Sequence, residues 1–373
     1  MSPQNDHPKA HDFIMDIKAY VPGLSSAEGI VNPVKLSANE SVFGASPKAL
    51  QAYRDLSDKL ALYPDGSSSA LRTAIADTFS LDPDKLLFGA GSEEILAMLF
   101  ACYAGPGDEV IYPEVSFIIY PILTSTNGAT SVCVPNAKNL AADVDGILEA
   151  VTSDTKIVII DNPNNPTGAY NTWEEVQRLH AGLPSDVLLI LDGAYADCAT
   201  ADDFHAGEKL VETSNNVVMT RTFSKMYALA GLRAGWAYAP QCVADVINRI
   251  RLPFALNLAA QTAALAAVTD TEHTAAALAF NTEGRSLLTA SLDAIGLNVV
   301  PSQANFVFIE FPKDPQYDAA AANAYLTKNG YLLRRIPGAL TGKYLRMTVG
   351  TQDQNMAVIE LLRAFLDGGH DAE

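Results

Sequence analysis

From about residue 47 the chain alternates short apolar runs with segments of helical period. Leu86-Leu87-Phe88 is a short apolar strand, and Gly89-Ala90-Gly91 turns it into a helix starting near Ser92. Along that helix Ile95, Met98, Leu99 and Cys102 recur at i, i+3, i+4 and i+7, the spacing of one buried face. Further strands are predicted at Glu109 to Tyr112, Thr130 to Val134, Lys156 to Ile160, Val187 to Leu191 and Val217 to Thr220, with a helical segment from Ser116. Runs this apolar are expected of strands covered on both faces of a parallel sheet. The βαβα alternation predicts an α/β unit with helices on both sides.

The large domain is expected over 47–250. Residues 1–46 show little periodicity and read as an arm that packs with a smaller domain. A helical run with Val246, Ile247 and Ile250 meets Pro253, which should kink or end it. The smaller α+β domain is expected over 251–373. It would hold an Ala-rich helix at about 258–268 and strands near Asn298 to Val300, Phe306 to Glu310 and Tyr344 to Val349.

Composition narrows the partners. A net charge of −18 repels nucleic acid and anionic membranes, so an anionic substrate requires a local cluster of arginines. No run approaches the roughly 20 apolar residues of a membrane span. The N-terminus, with His7, Lys9 and Asp12, has no apolar leader. Cys102, Cys133, Cys198 and Cys242 are scattered and read as buried free thiols of a reducing compartment, which predicts a cytoplasmic protein. The histidines show no ligand spacing with the cysteines, so no metal site is expected. Glu94 stands where a dinucleotide fingerprint needs its third glycine, which argues against NAD.

The candidate chemistry falls at the carboxyl ends of the predicted strands, where open α/β sheets bind ligands. Gly91-Ser92-Glu93 opens a helix and offers unpaired N–H groups to an anion. Asn165 follows the Ile160 strand, Asp192 the Leu191 strand with Tyr195 three residues on, and Thr222, Ser224 and Lys225 the Thr220 strand. These are the parts a pyridoxal 5′-phosphate (PLP) site needs. Lys225 supplies an amine for the aldehyde and a proton carrier. Asp192 pairs with the protonated ring nitrogen. Asn165 and Tyr195 donate to the phenolate oxygen O3′. The N–H groups of Ser92 and Glu93, the hydroxyls of Thr222 and Ser224 and the guanidinium of Arg233 form the phosphate cup. Phe117 covers the ring face.

With these residues in place, the chain resembles the fold-type-I PLP aminotransferases and is similar to the histidinol-phosphate aminotransferases among them. The resemblance runs nearly end to end: Tyr20-Val21-Pro22-Gly23, Leu36-Ser37-Ala38-Asn39-Glu40, Leu62-Tyr63-Pro64-Asp65-Gly66, Asn162 to Gly168, the lysine segment, and Leu345-Arg346-Met347-Thr348-Val349-Gly350. It implies an aspartate-aminotransferase-like fold, a mostly parallel large domain with a smaller α+β domain. It also implies a homodimer with shared active sites, in which Tyr63 reaches the phosphate of the neighbouring subunit's cofactor. By the same resemblance Arg346 holds the carboxylate of glutamate, Arg334 with Tyr20 grips the distal anionic group, and Asn39 belongs to the substrate site. Arg334 and Arg335 point opposite ways in a strand, and the choice of Arg334 comes from the resemblance. The implied reaction passes the amino group of glutamate to imidazole acetol phosphate, giving 2-oxoglutarate and histidinol phosphate in histidine biosynthesis. An aromatic amino acid aminotransferase, or a decarboxylase of a phosphorylated amino acid, is the alternative on the same scaffold. The family pattern is broken at Gly193, where an acidic residue is usual, at Ser41-Val42 and at Ala339-Leu340.

Overall fold

Side chains two apart on a strand share a face, and the apolar runs of this chain sort by that rule into two cores. Phe88, Ile111, Val158, Ile160, Leu189 and Leu191 belong to one buried cluster; Leu87, Val110, Ile157, Ile159, Leu188 and Ile190 belong to another. The sheet they form is therefore covered on both sides, as its continuous apolar strands require. The computed structural model describes residues 8–19, 24, 26–336 and 340–368.

In chain order the strands are β1 Val34–Lys35, β2 Leu86–Gly89, β3 Glu109–Pro113, β4 Thr130–Val134, β5 Thr155–Asp161, β6 Leu188–Asp192, β7 Val217–Thr222, β8 Gly235–Tyr238, β9 Asn298–Val300, β10 Phe306–Glu310, β11 Tyr331–Leu332, β12 Arg334–Arg335 and β13 Tyr344–Thr348. Among the described residues the central sheet has seven strands in the order β2-β8-β7-β6-β5-β3-β4. Pairing is parallel from β4 through β7, and β8 runs antiparallel between β7 and β2. The second sheet is antiparallel, in the order β12-β13-β10-β9.

Three expectations change. The run at β4 is an edge strand with Thr130, Ser131 and Cys133 exposed, so it is not covered on both faces. Among the cysteines, which are all free, Cys198 is buried and Cys102 half-buried, but Cys133 and Cys242 are exposed. The helix Leu258–Val268 was expected in the smaller domain. Its Ala260, Ala263, Ala264 and Ala267 instead join the core that holds Leu71 and Ile75 of the helix Ser69–Phe79. Alanine faces let helices approach closely, and this one lies on the large sheet's helical layer. The next helix, Thr271–Ala294, joins the two cores, with Ala277 in the large one and Leu288 and Leu292 in the small one.

The chain between β1 and the first long helix ties the two ends of the molecule together. Val34 and Lys35 pair in parallel with Tyr331 and Leu332. Leu36, fully buried, joins the small core with Leu288 and Leu345. The residues that follow, Ser37 and Asn39, are thereby delivered to the crevice between the sheets.

Candidate active site

Strand register brings the polar residues together. Asp161 ends β5 and Asp192 ends β6 as its Cα partner, and Asp192 pairs in turn with Thr220 on β7. The antiparallel β8 starts where its neighbours finish, with Gly235 opposite both Thr222 and Gly89. Arg233, just before β8, thus arrives beside Gly91 and Ser224. A Cβ at Gly235 would collide with the backbone of Gly91 and Ser92, so only glycine lets β8 pass this helix start.

Asp192 is 2% exposed and accepts three hydrogen bonds: from Tyr120 Oη at 2.9 Å, Thr220 Oγ1 at 3.1 Å and the Ala194 N–H at 3.2 Å. Burial raises its pKa, and these donors oppose the rise. A carboxylate has about four acceptor positions, so one is left for a donor from the crevice. Tyr120 was not foreseen in this role. Its ring is fully buried and edge-on to Phe117 at 5.9 Å, which leaves Phe117 as the half-buried aromatic of the pair. Tyr120→Phe keeps the ring and removes one donor to a buried acid. It is expected to lower the unfolding free energy by about 1–3 kcal/mol in urea denaturation.

Lys225 follows β7 with its Nζ 5.6 Å from the centre of the Tyr195 ring. The Tyr195 hydroxyl accepts from Asn39 Nδ2 at 2.8 Å. The Asn39 Oδ1 accepts from Thr348 Oγ1 at 3.2 Å, while the Asn39 N–H donates to the same Thr348 hydroxyl oxygen at 3.0 Å. Asn39, expected on the substrate, is here the support of Tyr195. Arg346 is 8% exposed; Nη1 donates to Asn165 Oδ1 at 2.6 Å and Nη2 to the Ser37 carbonyl at 2.7 Å. Because Asn165 turns its oxygen to Arg346, its amide hydrogens are left for the crevice.

The anion cup gathers at the start of the helix Ser92–Tyr103, whose N-cap Gly91 has no side chain to satisfy the first N–H groups. Thr222 Oγ1 donates to Ser224 Oγ at 3.0 Å. Arg233 spans the mouth, with Nη1 3.4 Å from Ser224 Oγ and Nη2 3.1 Å from Glu93 Oε2. Glu93 therefore meets the cup through a side chain that holds Arg233, besides its expected backbone N–H.

The remaining expected residues lie further out. Tyr63 is 80% exposed and stacks on Phe254 at 4.5 Å. Arg334 sits half-buried on β12 as the register partner of Arg346, while Arg335 is exposed. Tyr20 and Ala339 lie outside the described residues. At Gly193 an added Cβ would stand 2.8 Å from the Thr220 carbonyl oxygen, so the site excludes a larger residue there unless β7 shifts. Among the described residues no group of three or more His, Cys, Asp or Glu could hold a metal ion, and no helix is long and apolar enough to cross a membrane.

PLP fits these groups: one open acceptor position on a buried acid, a nearby lysine, and a helix start with an arginine across it. The fold and this set of side chains define a fold-type-I transferase built around a lysine. The chain belongs to the aminotransferase class I and II family, whose model matches residues 31–362. Its relatives include two histidinol-phosphate aminotransferases of Rhodopseudomonas palustris, both 47% identical. The strain HaA2 protein aligns over 95% of this chain and 97% of its own length, the strain TIE-1 protein over 96% and 98%. Among solved structures, the histidinol-phosphate aminotransferase of Sinorhizobium meliloti in complex with pyridoxal-5′-phosphate superimposes with a TM-score of 0.88. It is 25% identical over 98% of this chain and 99% of that one. Aspartate aminotransferase from Thermus thermophilus with maleate gives 0.78 at 26% identity, over 90% and 92%.

Proposed function

We propose that this enzyme is a PLP-dependent aminotransferase that moves an amino group between glutamate and imidazole acetol phosphate, giving 2-oxoglutarate and histidinol phosphate. The observation that carries this reading is the half-buried bond between Arg346 and Asn165. It sets a guanidinium suited to a carboxylate beside the residue that faces the cofactor ring. The 47% identical relatives support the choice of amino acceptor.

Bound in the crevice, PLP supplies an aldehyde for amines and a ring that draws off the electron pair left when the substrate α-carbon loses its proton. Lys225 Nζ is the amine that would hold the aldehyde carbon at rest. When free, it would take the proton from the substrate Cα and return it to the carbon that carried the aldehyde. Asp192 would keep a proton on the ring nitrogen through its open acceptor position. Tyr195 donates toward O3′, since Asn39 already occupies an acceptor position on its hydroxyl. Arg346 holds the α-carboxylate; Asn165 and the Ser37 carbonyl fix the plane of its five-donor guanidinium. Ser92, Thr222, Ser224 and Arg233 hold the cofactor phosphate.

The exposed row Leu60, Leu62, Tyr63, Leu252 and Phe254 supports a homodimer with shared sites, in which Tyr63 reaches across. Free thiols support a cytoplasmic location. We place the division between large and small domains inside the helix Thr271–Ala294, with 1–46 as the arm.

The decisive experiment sets glutamate against a panel of keto acceptors. The enzyme is expected to favour imidazole acetol phosphate over phenylpyruvate by at least about 100-fold in kcat/KM, because the phosphate of the first would engage Arg334 and its register partner Arg346 together, while the smaller carboxylate of the second engages Arg346 alone. Preference for phenylpyruvate would replace this reading with the aromatic one.

A further inference from the structure

A second acid is buried beside Asp192. Asp161, at the end of β5, is 4% exposed and has Asp192 as its register partner. Two carboxyls this close and this dry are costly, and burial, with repulsion from Asp192, lifts the Asp161 pKa to about 8 against the pull of the Asn165 N–H. The steps assigned above do not use it. Its bonds to other residues go to one turn: Oδ2 accepts from the Asn165 N–H at 2.7 Å and Oδ1 from Asn164 Nδ2 at 2.8 Å.

That turn joins three parts of the site. Asn164 Nδ2 also donates to the Val115 carbonyl at 3.0 Å, two residues before Phe117. Asn164 Oδ1 accepts from the Thr167 N–H at 3.1 Å and hydroxyl at 2.8 Å, so its amide is fixed in one orientation. Asn165 Oδ1 meets Arg346 Nη1. A carboxyl group, charged or neutral, can accept from both donors at once, since its hydroxyl oxygen keeps a lone pair, whereas an amide in its place turns N–H hydrogens toward one of them.

We propose that Asp161 is a positioning residue: its two carboxyl oxygens lock the Asn164-Asn165 turn, so that Asn165 aims its oxygen at Arg346 and its hydrogens at the cofactor. The acid thereby sets the substrate-carboxylate arginine in register with the ring held by Asp192. This rests on the aminotransferase reading for the roles of Asn165 and Arg346.

Asp161→Asn keeps the size and loses one of the two bonds. It is expected to raise the KM for glutamate about 10-fold and to weaken PLP binding to the apoprotein, followed by absorbance, by a similar factor. In an Asn165→Ala background the same change should add less than about 2-fold to KM, since Asp161 acts through Asn165. A purely structural acid would lower the active fraction and leave KM unchanged. It would also give equal effects with and without Asn165. Either result overturns the proposal. The parent protein separates the two failures: a parent unable to use glutamate removes the aminotransferase reading and this inference with it. An active parent whose Asp161→Asn variant keeps its KM removes this inference alone. If Asp161→Asn does not fold, Asn164→Ala, which cuts the other arm of the lock, should show the same rise in KM, and an unchanged KM there is equally fatal.

Discussion

Lys225→Ala is expected to lower turnover by about 1,000-fold or more while leaving PLP able to bind. The amine is the proton carrier, and positioned acid–base groups contribute about 10²–10⁴-fold; this one also forms the covalent bond to the aldehyde. The phosphate cup and Asp192 are untouched by the change, so binding should survive in weakened form. Single turnover with glutamate, followed by absorbance, reads the first effect. Mass spectrometry after borohydride reads the second: the parent retains the cofactor covalently and the variant does not. An alanine variant that transaminates at the parent's rate would end the assignment.

Asp192→Asn should have the next largest effect. Asp192 stands at the end of β6 with three donors on it and burial raising its pKa. Only a carboxylate gives a protonated ring nitrogen a charged partner, and an amide leaves that ring charge without one. Breaking a buried charge pair from one side costs about 3–5 kcal/mol, which is about two to nearly four orders of magnitude in rate. The fall should appear in kcat for both half-reactions, with the glutamate KM less affected because Arg346 is unchanged. Equal kcat in parent and variant would mean that the ring nitrogen lies elsewhere.

Much of the frame was legible because its strands are apolar over their whole length and end in polar residues. Asp192, Asn165, Thr222, Ser224 and Lys225 could be placed at strand ends without knowing which strands are neighbours. What stayed hidden depends on neighbours. Strand β8 is four residues long and enters antiparallel, and its sequence gives no sign of direction. Tyr120 lies 72 positions from its partner Asp192 and reads as core until its helix, Ile119–Thr126, is packed beside the end of β6. Asp161 sits in a stretch of Asn and Pro whose composition signals a turn, and its burial follows only from the register with β6. The helix Leu258–Val268 is apolar on all sides, so its period cannot say which core it joins. The exposed edge at β4 was missed, although Thr130 and Ser131 already break its apolar run.

Thr348 and Asn39 meet across 309 positions of sequence, and this sets a schedule for biosynthesis. On the ribosome the segment with β1 and Asn39 is made before the large sheet, yet β11 and β13, the strands it docks against, are made after it. The nascent chain can assemble its large sheet, with Asp192 and Lys225 in place, while Tyr195 still lacks the support that Asn39 and Thr348 give it. The chain of hydrogen bonds from Tyr195 through Asn39 to Thr348 therefore closes only when synthesis has passed Thr348 and β1 has met β11.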